Sequence, residues 1–272
     1  MKLRSLFTAL ALCLLASTAS ANLGVFQLTS ESSQYAANNT LANFTAAAGS
    51  GRVLIVTVGD PAATSVGTVT FGGTAMTQII TTTDSVAVDA IYYLRLGTSA
   101  SPTTGDVVVT SAGAKKFISA VVFSGADQTT PVVAGPLSGP KTANSTLTVS
   151  SAPGDVVYDV FDTYKTTPAA TVTLGAGQTK VSEQSGTITA GGNSHYFTSK
   201  KAGAASVTMS YTSDSEAILH GTINIKLAAA TPAPTITSVT GPTAGSYKTG
   251  TALSFTVAAA PPSRSRARRP CR

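Results

Sequence analysis

Short β-branched runs, broken at close intervals by Gly, Pro, Asn, Asp and Ser, constrain this chain more than any other feature. Such a cadence excludes the 3.6-residue periodicity of packed helices, and no amphipathic helix is found past the N-terminal leader. Arg52 to Val58 (RVLIVTV) is a continuous apolar stretch, as expected of a central strand covered on both faces. Val66 to Phe71 leads through Gly72-Gly73, a hairpin signal, into Ala75 to Ile80. In Val86 to Leu96 the residues alternate. Val88, Ala90, Tyr92, Leu94 and Leu96 fall on one face, and Asp89, Ile91, Tyr93 and Arg95 on the other, which predicts a half-buried strand. Further strands are expected over 106–110, 115–123, 145–150, 155–161, 178–184, 194–199, 205–211 and 216–227. Together they predict an all-β fold, an antiparallel β-sandwich of jelly-roll type over residues 22–227.

The ends of the chain differ from this body. Lys2 and Arg4, the apolar run Leu6 to Ala16 and the small residues Ala19-Ser20-Ala21 have the form of a cleaved secretory signal over residues 1–21. No later stretch is apolar enough to span a membrane as a helix, so the mature chain is expected to carry no transmembrane segment. Residues 228–234 (AAATPAP) read as a linker. Residues 235–257 read as two strands of an unfinished second domain, and residues 258–272 as a disordered basic tail, either the product of a shifted reading frame or a basic arm for an anionic surface. Seven of the 18 basic residues lie in the two ends and none of the 12 acidic ones does, leaving 11 against 12 in the body. A near-neutral body lacks the basic surface that displaces counterions from phosphates, so nucleic acid is not an expected partner. The pairs Lys115-Lys116 and Lys200-Lys201 read as solvated strand ends. Cys13 and Cys271 both fall in the ends, so the body has no disulfide and depends on burial alone.

The features PTITSV, G-P-x-x-G-x-Y and T-G-x-x-L-x-F-T-V within Thr235 to Val257 resemble the opening strands of bacterial Ig-like repeats in long surface proteins and adhesins. RVLIVTVGD, VTFGGTAMT, IYYLRLG, VVFSGADQTTPV and PGDVVYDV, from Arg52 to Val160, are similar to a secreted bacterial β-sandwich module found on the N-terminal side of such repeats. These resemblances imply an extracellular or cell-surface location and a modular architecture. They imply no particular chemistry.

Catalytic constellations are sparse. The chain has two histidines, His195 and His220, both in or near expected strands, and His220 precedes a turn-like Gly221. Either can join an Asp and a Ser in a hydrolytic triad, since triads assemble in space, but no G-x-S-x-G elbow is present and two ordinary strand histidines are the simpler expectation. Zinc lacks its ligand spacing. Asp155 and Asp159 share a strand face while Asp162 points the other way, so the three do not meet one ion. Asp214 and Glu216 flank a turn and offer the best oxygen pair, a weak calcium expectation; otherwise no cofactor is expected. Tyr35 and Tyr164, placed in loops, join Asp214 and Glu216 as candidate ligand-binding residues. The expectation is a non-enzymatic structural or adhesive module that meets an extracellular glycan or protein surface. A carbohydrate-binding module is the alternative, and an extracellular hydrolase comes third.

Overall fold

The structure is a computed structural model and describes residues 27–36, 39–84, 87–111, 115–141, 144–166, 170–187, 192–229, 235–240 and 256–260. The expected signal, most of the linker, Cys13, Cys271 and the tail beyond Ala260 lie outside the described residues. Two compact units are present, one spanning Gly24–Ala228. In the other, Thr235–Thr240 pairs antiparallel with Thr256–Ala260, whose last three residues fall within the run assigned to the tail.

The main unit is all-β and antiparallel. Its first half contributes β1 (Gln27–Ala36), β2 (Thr40–Ala46), β3 (Gly49–Asp60), β4 (Val66–Phe71), β5 (Thr74–Ala75), β6 (Thr77–Thr83), β7 (Val88–Ser99), β8 (Thr103–Ser111) and β9 (Lys116–Ser124). Its second half contributes β10 (Val132–Lys141), β11 (Asn144–Ser150), β12 (Val156–Lys165), β13 (Val172–Leu174), β14 (Thr179–Thr187), β15 (Asn193–Ala202), β16 (Ser206–Ser213) and β17 (Ala217–Ile225). In the first half a sheet ordered β1-β9-β3-β7-β6 packs on one ordered β2-β8-β4-β5. In the second, β10-β17-β12-β15-β14 packs on β11-β16-β13. The two halves are wound alike, with β5 alone lacking a counterpart. The expected antiparallel sandwich is present, and it occurs twice.

The two five-stranded sheets pack against each other as the inner layers of a four-sheet stack. Val53, Ile55, Phe117, Val121 and Phe123 of one meet Tyr158, Val160, Tyr196, Ile223 and Ile225 of the other. In this seam β6 lies against β10 and β17, and β1 against β14. Each half thus offers its first strand to the other's β6 or β14, the self-complementary arrangement of a two-fold dimer held within one chain. Phe117 stacks on Tyr196 with ring centroids 4.8 Å apart, and Ser182 donates to Ser119 across the seam at 3.0 Å.

This stacking explains the sequence pattern and corrects parts of its interpretation. In β3 every residue from Arg52 to Asp60 is buried, because one face meets the outer sheet and the other the seam. In β7 the alternation holds but the half-burial does not. Asp89 and Ile91 are buried along with Val88, Ala90 and Tyr92, since the second half covers the face expected to be wet. Ala75 to Ile80 is broken at Met76 into β5 and β6. Gly72-Gly73 forms the expected hairpin turn, both residues at positive φ. Gly221 is no turn but lies within β17, where a Cβ would stand 2.7 Å from Ile80 across the seam. Lys116 is fully buried and donates to Asn39 at 2.6 Å, so that half of the pair is not a solvated strand end. Strands β1, β2, β10 and β13 lie outside the expected runs, although β2 turns Leu41, Phe44 and Ala46 into the first core.

Candidate functional site

The second half carries the chemistry. In the first half, Leu54, Val56 and Val58 of β3 enter one continuous apolar core with the outer sheet. The corresponding face of β12 carries Val157, Asp159 and Phe161, and the apolar core there divides into two small clusters. The register fixes the correspondence: Val58 pairs with Ile118 on β9, and Phe161 pairs with His220 on β17. Asp159 and His220 therefore stand where the other half has Val56 and Ile118.

These two residues, with Ser145 of β11, form a continuous hydrogen-bonded line. The Ser145 hydroxyl donates to Nδ1 of His220 at 2.8 Å. His220 Nε2–H donates to Oδ2 of Asp159 at 3.2 Å. The other carboxylate oxygen accepts three bonds, from the Ser199 N–H at 2.9 Å, the Ser199 hydroxyl at 2.8 Å and the Tyr211 hydroxyl at 3.0 Å. Burial, with the Asp159 charge beside it, pushes the Tyr211 hydroxyl far above its ordinary pKa and keeps it a donor. Phe161 and Tyr211 each meet the His220 ring edge-on, with centroids 5.6 and 5.3 Å away.

Serine, histidine and aspartate thus connect in the order of a hydrolytic triad, with the two ring nitrogens exchanging roles relative to the serine protease template. Access to this array is closed. Asp159 and His220 are 0% exposed and Ser145 is 2% exposed. A nucleophile must have a substrate carbonyl within about 3–3.5 Å, and a side chain sealed between two sheets offers no such approach. Placed here, the array joins β11, β12, β15, β16 and β17 through one carboxylate.

The residues singled out from sequence lie apart from this array. Tyr164 is in β12 rather than a loop; it is half-buried, and Gly192 leaves room for its ring, which a Cβ would approach to 2.3 Å. Asp214 accepts from Lys165 at 2.6 Å and from the Thr171 N–H at 2.7 Å. Glu216 accepts from the Thr166 N–H at 3.1 Å and the Thr166 hydroxyl at 2.8 Å. The bond to Lys165 lowers the Asp214 pKa, and the bonds to Thr166 lower that of Glu216. Tyr164, Asp214 and Glu216 therefore do gather at one end of the second half, the Glu216 N–H donating to the Tyr164 carbonyl at 2.8 Å. Their carboxylates fasten loops. The Tyr35 backbone belongs to β1 rather than a loop, and its side chain lies outside the described residues.

His195 faces acceptors on both ring nitrogens, the Ala170 carbonyl at 3.0 Å and Glu183 at 2.8 Å. Asp155 binds Asn224 and the Leu227 N–H, Asp159 serves the outer core, and Asp162 faces the seam, bonded to Ser194. Among the described residues no group of three or more His, Cys, Asp or Glu is placed to hold a metal ion, and none of them forms a helix long and apolar enough to cross a membrane. The Ser145–His220–Asp159 line had one signal in the sequence: polar residues inside otherwise apolar strands, VVYDVF and AILHGTINI.

The fold and this sealed polar line define a class, an all-β protein of two stacked sandwiches. No family model, curated protein or solved structure matches the chain.

Proposed function

We propose that the chain is a non-enzymatic, exported structural or adhesive module, built from two jelly rolls fused face to face. The single observation carrying this reading is where the reactive groups go. The serine, histidine and aspartate that can do acyl-transfer chemistry are spent inside the core as fasteners between sheets. The secretory form of residues 1–21 and the likeness of residues 235–257 to surface repeats support export and modularity. A pair of sandwiches sharing a wide apolar seam suits a stiff spacer or a display platform, because inner sheets buried on both faces resist local opening.

Fractionation of the native host with an antibody to the main unit tests the proposal. Surface-bound or secreted protein is the expected result; a purely cytosolic protein ends the reading. Incubation of the secreted chain with a broad panel of ester and glycan substrates completes the test, since turnover abolished by His220→Ala would favour the hydrolase instead.

A further inference from the structure

Among the described residues, the seam between the two halves contains acids with no cation beside them. Asp89 of β7 is fully buried, and neither of its carboxylate oxygens has a hydrogen-bond partner. The hydroxyl of Tyr196 on β15 is also fully buried; it makes no hydrogen bond of normal geometry among the described residues, although the Thr57 side chain lies beside it. The two side chains converge on Gly59. A Cβ there would sit 2.9 Å from Oδ1 of Asp89 and 2.7 Å from the Tyr196 ring. Asp162, the register partner of Tyr196 on β12, is buried on the same side and accepts from the Ser194 hydroxyl at 2.6 Å and from the Thr163 backbone.

The surroundings explain why this arrangement matters. The titratable groups around Asp89 are Asp162 of β12, Tyr196 of β15 and Asp84 in the turn between β6 and β7, and Tyr158 of β12 adjoins Tyr196 in turn. The neighbouring strands of its own sheet place Gly59 and Thr82 beside it. Burial raises the Asp89 carboxyl well above its usual range, and the charges of Asp162 and Asp84 add to that. Burial likewise lifts Asp162 to about 7, against the bonds from Ser194 and the Thr163 backbone. Ionising either acid in place would put a carboxylate with no cation beside it into a largely apolar seam, a cost that contact with water relieves.

We propose that Asp89 and Asp162, with the Tyr196 hydroxyl, form a proton-held latch across the seam, shut while both carboxyls keep their protons and released when they ionise. The sign follows from the raised carboxyls. The protons bind the shut form more tightly, so the seam is most secure in acid and loosens as pH rises through 7. For Asp162 alone, a carboxyl at about 7 when shut and at an ordinary aspartate value when open makes opening about a hundredfold more frequent at pH 8.5 than at pH 5.

Hydrogen-exchange mass spectrometry of the full chain at pH 5 and pH 8.5, corrected for intrinsic rates, tests this on wild type and on the Asp89→Asn/Asp162→Asn variant. Wild type is expected to lose about a hundredfold protection in β3, β7 and β12 at the higher pH, with β2, β8 and β4 less affected, while the variant loses under tenfold. Equal loss in both proteins overturns the latch, as does equal loss in inner and outer sheets, which is ordinary unfolding. Calcium chloride and EDTA arms run in parallel. Protection restored by calcium overturns the proton reading in favour of a cation site. If the double variant does not fold, the single Asp162→Asn variant is compared in its place, and unchanged pH dependence there overturns the proposal.

Discussion

Asp159→Ala is the perturbation that most clearly weighs the buried line in the second half. The Asp159 carboxylate accepts four hydrogen bonds from groups that are themselves buried. Alanine leaves the Ser199 N–H, the Ser199 hydroxyl, the Tyr211 hydroxyl and the His220 Nε2–H without an acceptor. Each stranded buried donor costs about 1–3 kcal/mol, so the four together cost about 4–12 kcal/mol before any cavity is counted. Against a total stability of about 5–15 kcal/mol that is a large fraction. Asparagine is a sharp control. It keeps an acceptor for Ser199 and Tyr211 and turns its amide toward His220. The ring then takes the other tautomer and Ser145 becomes the acceptor. The expected loss is about 1–2 kcal/mol. Guanidinium titrations of both variants at pH 7 read the difference, with unchanged slopes. Equal losses for Ala and Asn, or an Ala loss under about 2 kcal/mol, would refute the reasoning, because the network would then not be fastening the sheets.

Other variants probe the seam and the loops. Gly59→Ala should cost about 1–3 kcal/mol in the same assay, because its methyl must displace the Tyr196 ring or Asp89. Asp162→Asn should match wild type near pH 4 and exceed it by about 4 kcal/mol at pH 8.5. Its carboxyl is lifted from the ordinary aspartate range to about 7, and this penalty on the folded state is felt only as pH rises. The lowered pKa values of Asp214 and Glu216 act in the opposite direction, contributing stability above the ordinary carboxylate range that is lost as pH falls through the lowered values. Glu216→Gln should therefore flatten the acid limb of a thermal-melt series and leave the alkaline limb unchanged. A double Asp159→Ala/His220→Ala variant should lose less than the sum of its parts, since one change already strands the other's partner.

The sequence revealed the strands whose burial is apolar and missed those whose burial is not. RVLIVTV reads directly as an inner strand, because a strand covered on both faces has no polar side to show, and the run through Phe123, expected only as a strand, is buried on both faces as well. β10 hid behind its prolines and glycines, and β13 is only three residues long. The duplication was legible but unread. Thr68-Val69-Thr70-Phe71-Gly72 recurs as Thr171-Val172-Thr173-Leu174-Gly175, at β4 and β13, and Thr40-Leu41 recurs as Thr146-Leu147, at β2 and β11. Seen as a repeat, these segments would have predicted two sandwiches and a buried second face for Asp89 and Ile91. The buried line was only half legible. The sequence marks Asp159 and His220 as misfits in apolar strands, but Ser145 is one serine among many until pairing of β12 with β17 brings His220 to Phe161.

The most direct test of the central claim is labelling of the intact protein with a fluorophosphonate serine probe, read by peptide mass mapping. A core fastener predicts no adduct on Ser145, with unfolding in guanidinium exposing it only as an ordinary, unreactive serine. A stoichiometric adduct on Ser145 in the native protein, abolished by His220→Ala, would contradict the account and make the buried line an active site.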